Sequence, residues 1–247
     1  MSIGSPEDLA GLKAVGHVCH LALTAMRKAV RPGITTGKLA IIGGNVMRAN
    51  GAQSAPAIIY GFPGEILISV NDEAVHGVPG ERRIRVGDLV KLDVTFEKKG
   101  YIADAAITVP VEPVSTQGGQ LVRCAERAFH SALRVARAGN RVGEIGREVE
   151  REVRRSRFSV IRELCGHGVG RTIHEPPCVP NFDDRLSREK LTPGLVITIE
   201  PIIASGAART EMAEDGWTLR TVDGGLSAHF EHTIVITENE PILLTAA

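Results

Sequence analysis

The apolar positions of this chain change period twice. Leu9, Leu12, Val15, Cys19, Ala22, Met26 and Ala29 recur at three- and four-residue intervals, as on one face of a helix, and Pro32-Gly33 ends the run. Thr36 is placed to cap a second helix carrying Leu39, Ile42, Val46 and Ala49, which Gly51 terminates. From about Ala57 to Val111 the pattern shifts to short β-branched runs separated by turn residues, which predicts strands. Helical spacing returns from about Gly119 to Ala138 and from Val142 to Arg155. Strand-like sequence then runs from Val160 to the end, with an irregular stretch around residues 176–188. The order predicts an α+β fold with helices packed on one side of an antiparallel sheet.

The same order carries a two-fold internal repeat. Arg31-Pro-Gly33-Ile-Thr-Thr-Gly37-Lys-Leu39 aligns with Arg137-Ala-Gly139-Asn-Arg-Val-Gly143-Glu-Ile145, 106 positions later. Gly87 and Asp93 align with Gly194 and Glu200 at a spacing of 107. Asp104 and Glu231 also correspond, but 127 positions apart, which places about twenty extra residues between Pro201 and Phe230. Copies of this length indicate two pseudo-symmetric halves rather than a solenoid. The reading is one domain over residues 1–247, with halves at roughly 5–110 and 115–240.

Composition narrows the function classes. Of 247 residues, 43 % are hydrophobic, enough for a sizeable core. Lys and Arg balance Asp and Glu at 29 each, and aromatics make up 4 %, so neither a polyanion surface nor a base-stacking platform is predicted. The mixed signs of Gly146–Arg155 read as a solvated helix face. Cys19, Cys124, Cys165 and Cys178 lack Cys-x-x-Cys spacing, which points to a reducing compartment, and no base arrangement activates Cys165. No uninterrupted apolar stretch approaches the ~18 residues of a membrane span, and early Glu7 and Asp8 argue against a signal peptide.

The candidate chemistry lies in carboxylates set inside strands. Asp93 ends the run that follows Gly87, and Glu200 ends the run that follows Gly194. Asp104 and Glu231 each open another strand-like segment. A carboxylate inside a β-branched run is costly to bury without positive compensation. Four of them in matched places, with His167, form the donor list of a site for two divalent ions. Oxygen donors with one imidazole suit Mn, Fe(II), Co or Zn rather than a thiolate-held structural zinc. The repeat puts this centre between the halves.

Five ordered blocks then carry a family resemblance: Ser69–Pro79 (SVNDEAVHGVP), Cys165–Arg171 (CGHGVGR), Ile199–Pro201, Asp215–Trp217 and Leu226–Thr233 (LSAHFEHT). Together they resemble the type I methionine aminopeptidases across nearly the whole chain. The resemblance implies the pseudo-two-fold "pita-bread" fold. It implies that Asp93 chelates one ion, Asp104 and Glu231 bridge both, and His167 and Glu200 complete the other shell. It further implies attack on the first peptide bond by a metal-activated hydroxide, with Glu200 as general base, His174 at the scissile carbonyl and His76 at the amide nitrogen.

The positions matching the methionine pocket are Ile59, Phe62, Leu67, Ile173 and Trp217. Many type I enzymes carry aromatics where Ile59 and Ile173 stand, so the lining here is more aliphatic. An aliphatic lining still accommodates an unbranched thioether. The implied substrates are nascent polypeptides with an N-terminal methionine and a small second residue. The implied setting is a monomer in the cytoplasm, near the ribosome exit tunnel and away from membranes. Two other readings are an X-Pro aminopeptidase of the same fold and a non-catalytic ribosome- or RNA-binding homologue. Loss of ligands would mark the second, and all five are present.

Overall fold

The computed structural model describes residues 1–246. Five helices form: α1 Pro6–Ala29, α2 Thr36–Ala49, α3 Ala55–Tyr60, α4 Thr116–Leu133 and α5 Val142–Arg155. Ser5 caps α1 by accepting from the Asp8 amide, with Pro6 in the first turn, where no amide partner is needed. Thr35, not Thr36, caps α2. The Thr36 hydroxyl instead bonds both the carbonyl and the amide of Gly80, fastening the start of α2 to a loop.

Three other expectations shift. α3 occupies a segment expected to be strand. Its six residues are too few to show a helical period, and only the Ser54 cap, the first-turn proline and Gly61 (φ 73°) mark it. α4 starts earlier than Gly119, because Ser115 caps it by accepting from the Gly118 amide. Glu175–Pro180, expected to be irregular, pairs with Cys165–Gly168 as a strand.

Nine strands build the main antiparallel sheet. Its path runs Gln53–Ser54, Leu89–Lys98, Tyr101–Pro110, Glu231–Val235, Val196–Ile199, Cys165–Gly168 and Glu175–Pro180. Leu67–Val70 and Ile242–Leu243 pair off this path. Side chains alternate across the sheet, so Leu92, Val94, Phe96, Ala103 and Ala105 face one way and pack with α1 and α2 residues. Ile197, Ile199, Ile234 and Ile236 do the same with α4 and α5. α1 is long and apolar enough to cross a membrane by length and composition. It spends that apolarity in the core, where Leu12, Val15, Cys19, Ala22 and Met26 are fully buried.

The repeat is visible in the backbone itself. Gly33 and Gly139 have φ of 87° and 91°, and Gly87 and Gly194 have 91° and 84°. Their amides bond equivalent carbonyls: Gly33 to Ile84 and Gly139 to Leu191, Gly87 to Val111 and Gly194 to Ile236. The extra residues of the second half form a hairpin, Thr210–Met212 with Leu219–Thr221, which pairs with Glu73–Val75 of the first half.

Close packing of α5 supplies a stability test. A Cβ at Gly146 would collide with the backbone carbonyl oxygens of Phe182 and Pro180, whereas one at Gly119 meets first the flexible end of Arg123 at 3.3 Å. Gly146→Ala should therefore cost about 1–3 kcal/mol. Gly119→Ala should be stabilising by up to ~1 kcal/mol through helix propensity. Urea unfolding of both variants checks the pair, and equal midpoints would contradict this packing.

Candidate metal centre

Register turns the sequence spacing into a site. Asp93 pairs with Ala106, and Ala106 pairs with Glu231, so two carboxylates flank a methyl group in one row across three strands. Glu200 follows Ile199, whose partner is His232, and so extends that row. One step along the strands, Thr95 pairs with Asp104. Asp104 bonds Thr233, Thr233 pairs with Thr198, and Thr198 accepts from the amide of His167. Because side chains alternate with a period of two, both rows lie on the face opposite the helices. All five residues nominated from sequence meet there.

The cluster is buried and strongly one-signed. Asp104, His167, Glu200 and Glu231 are all under 9 % exposed, and Asp93 is intermediate. His167 Nε2 lies 3.5 Å from Glu200 Oε1 and 4.0 Å from Asp104 Oδ2. Burial, then the charge of Asp104, pushes the carboxyls of Asp93, Glu200 and Glu231 well above the usual range. Burial raises Asp104 to about 7 against the opposing pull of hydrogen bonds from Thr95 and the Ala105 amide. The imidazole of His167 is pushed down to about 4, by burial first and then by the neighbouring His174.

A cavity of about 170 Å³ opens over these residues. His76 and His174 line it and are open to it. His76 stands at φ 59°, a conformation costly for a non-glycine residue. The Ser69 hydroxyl fixes the next amide, Gly77, at 2.9 Å. Tyr60 Oη lies 2.6 Å from His174 Nδ1. Phe62, Leu67, Ile173 and Trp217 form the apolar end, Phe62 meeting Trp217 edge-on with centroids 5.3 Å apart. Asp215 holds Trp217 in place by accepting from its amide and from Thr218.

Ile59 corrects the sequence reading. It is 43 % exposed and does not line the cavity. Successive helical residues point about 100° apart, so at the end of α3 Tyr60 lines the cavity and Ile59 does not. Cys165 also lines the cavity, with its sulfur 2.7 Å from that of Cys178. Burial and the neighbouring thiol push Cys165 up to about 12, which disfavours a nucleophilic thiolate.

The profile of metallopeptidase family M24 matches residues 10–238. The chain belongs to that family. It is 41 % identical over 247 residues to "Methionine aminopeptidase 2" of Bacillus subtilis, covering 99 % of each chain. It is 36 % identical to the methionine aminopeptidase of Escherichia coli K12, covering 99 % of this chain and 94 % of that one. The crystal structure of methionine aminopeptidase from Thermotoga maritima superposes with a TM-score of 0.97 at 34 % identity, over 100 % of both chains. Prolidase from Pyrococcus furiosus shares the fold, with a TM-score of 0.79 at 22 % identity, and this chain covers 65 % of it.

The donor atoms fit the divalent metals of an M24 metallopeptidase. Asp93 Oδ1, Asp104 Oδ1, Glu231 Oε1 and His229 Nε2 are buried without a hydrogen-bond partner. Among the described residues, only histidines lie within ion-pair distance of these carboxylates. Two overlapping groups, Asp104–His167–Glu231 and Glu200–His229–Glu231, bring donor atoms within 4.8 Å of one another. Sequence reasoning missed His229, Tyr60 and the threonines. Thr198 donates to Glu200 Oε1 at 2.9 Å, and Thr233 bonds both the amide and the carbonyl of Asp104. The signal was the two-residue spacing of Thr198 to Glu200 and of His229 to Glu231 to Thr233.

Chelation should expose the cost of this arrangement. Folded carboxyls held above their unfolded values near 4 contribute stability at low pH. That contribution is lost as pH rises toward the folded value, about 7 for Asp104. Divalent ions oppose the loss and bind more tightly as the ligands deprotonate. The difference in Tm between Mn(II)-loaded and EDTA-treated protein should therefore widen from pH 5 to pH 8. Thermal melts across that range check it, and a constant or shrinking difference contradicts it.

Proposed function

We infer that this protein is a methionine aminopeptidase, a hydrolase that removes the N-terminal methionine from proteins and peptides whose second residue is small. The observation that carries this reading is one cavity joining an apolar slot for a single side chain to a carboxylate-rich metal centre. For scale, a cavity of ~150 Å³ holds a benzene-sized group.

The substrate's methionine side chain occupies the slot of Phe62, Leu67, Ile173 and Trp217, with Tyr60 at its edge. Discrimination by apolar shape alone is worth about 1–3 kcal/mol per methylene. Asp93, Asp104, His167, Glu200 and Glu231 would hold the ions. Bound there, a pair of divalent ions lowers the pKa of water and polarises a carbonyl. Glu200 accepts the proton of the attacking water and returns it to the departing amine.

Tyr60 Oη and His174 Nδ1 share a hydrogen bond. We assign the donor role to the Tyr60 hydroxyl, which would place the ring hydrogen of His174 on Nε2, where it would donate to the developing oxyanion. His76, which lines the same cavity, would hydrogen-bond the scissile amide nitrogen. A bulky second residue would displace the carbonyl, and about 1 Å of misplacement costs ~10²-fold. The 41 % identity favours this activity over an X-Pro one, since the prolidase likeness extends to the fold alone. The complete donor set argues against a non-catalytic ribosome- or RNA-binding role. A monomer acting in the cytoplasm on chains leaving the ribosome is the setting this chemistry suits.

A peptide panel tests the activity. The Mn(II)-loaded enzyme should cut Met-Ala-Ser and Met-Ser peptides and spare Met-Lys, Met-Leu and Ala-Pro peptides, as read by mass spectrometry. Efficient cleavage before Lys, or of Ala-Pro, would overturn the specificity or the activity, respectively. The roles separate by mutation. His174→Ala should lower kcat by roughly 10²–10³ with metal content unchanged, whereas His167→Ala should lose metal. Asp104→Asn and Glu231→Gln should each abolish turnover. Wild-type metal content with near-normal rates in those two variants would sink the assignment.

A further inference from the structure

His229 is a member of the cluster to which the five-ligand set gives no task. It ends the strand Ser227–His229, is 2 % exposed, and places Nε2 3.4 Å from Glu231 Oε2 and 3.8 Å from Glu200 Oε2. That nitrogen has no hydrogen-bond partner. The backbone beneath it is clamped. The Thr108 hydroxyl donates to the His229 carbonyl at 2.8 Å and accepts from its amide at 2.9 Å. The buried Lys91 ammonium donates to both oxygens of Ser227 two residues earlier. Thr233 holds the backbone of Asp104 by the same double bond. The fold thus applies one device to a ligand and to His229.

A ring nitrogen facing two carboxylates is repelled if it presents a lone pair. It is attracted if it carries hydrogen or shares a cation with them. The oxygens decide between these. Both carboxylates turn Oε2 toward His229, while Glu200 Oε1 faces His167 and Glu231 Oε1 is the buried atom without a partner. Glu200 Oε1 also accepts from Thr198. With the ions held on the side of Asp104, His167 and the unpartnered Glu231 Oε1, His229 would stand behind the carboxylates.

We propose that His229 is a positioning residue of the metal centre: its Nε2–H is shared between Oε2 of Glu231 and Oε2 of Glu200 and fixes both carboxylate planes for the ions. The proposal rests on the two-ion reading of the site. Hydrogen bonds of this kind are long or poorly aligned in ligand-free structures and tighten on binding. Removing a group that orients a metal ligand typically costs 10–100-fold in metal affinity or activity.

The test compares wild type, His229→Leu, His229→Gln and Thr108→Val. Each is titrated calorimetrically with Mn(II) alone, and the Co(II) d–d absorption bands are recorded. His229→Leu, which keeps bulk but loses the donor, should bind Mn(II) about 10–100-fold more weakly. His229→Gln, which keeps an N–H donor, should recover most of that affinity with the Co(II) bands unmoved. Thr108→Val should fall between them. If His229→Leu does not fold, wild-type affinity in Thr108→Val would still overturn the role.

Wild-type affinity in His229→Leu overturns the proposal. So does a Gln variant as weak as Leu with shifted Co(II) bands, since His229 would then be a ligand itself. Wild-type protein that takes up no Mn(II) or Co(II) instead overturns the two-ion reading, and this role with it.

Discussion

Mutual repulsion among four clustered carboxylates governs much of this structure. Two unit charges ~4 Å apart repel by about 4 kcal/mol even at an effective dielectric of 20. A single flexible segment would relieve such repulsion by moving apart. Here Asp93 and Asp104 come from adjacent strands of the first half, and Glu200 and Glu231 from adjacent strands of the second, all in one sheet. The helices packed behind each half leave the strands no freedom to separate. The core therefore holds an arrangement that the isolated site would reject, and it does so where divalent cations are the natural compensation.

The supporting polar groups follow from that constraint. Thr95, Thr198 and Thr233 occupy the same sheet face as the carboxylates and are buried. Each hydroxyl satisfies a backbone or carboxylate partner while adding no charge. β-branched threonine also suits a strand, so local conformation and site chemistry agree at these positions. Ala106 does the complementary work by being small between Asp93 and Glu231.

The apolar end of the cavity draws on elements beyond the carboxylate-bearing strands. The hairpin carrying Trp217 belongs to the extra residues of the second half, and it pairs with Glu73–Val75 beside His76. α3 brings Tyr60 and, through Gly61, Phe62. An apolar slot is thus assembled at one end of a charged centre, with His76 and His174 at the junction. Strands of both halves supply the carboxylate cluster, and the added hairpin and the α3 segment contribute Trp217, Tyr60 and Phe62 to the apolar end of the cavity.

The sequence by itself determined the α+β order, the repeat and the five residues that meet in the buried cluster, because each rests on local pattern: a helical period, a recurring glycine, a polar residue within a β-branched run. It did not determine α3, whose six residues carry no period, or the direction of Ile59, which depends on where that helix ends. Nor did it single out His229, since a histidine two residues before Glu231 is unremarkable until the fold buries it against Glu200. That neighbour lies twenty-nine positions away in sequence. Register across strands decided which side chains share a face, and register is set by pairing between distant segments. Tertiary structure alone supplied those distances, because burial and proximity exist only once the halves have closed on one another.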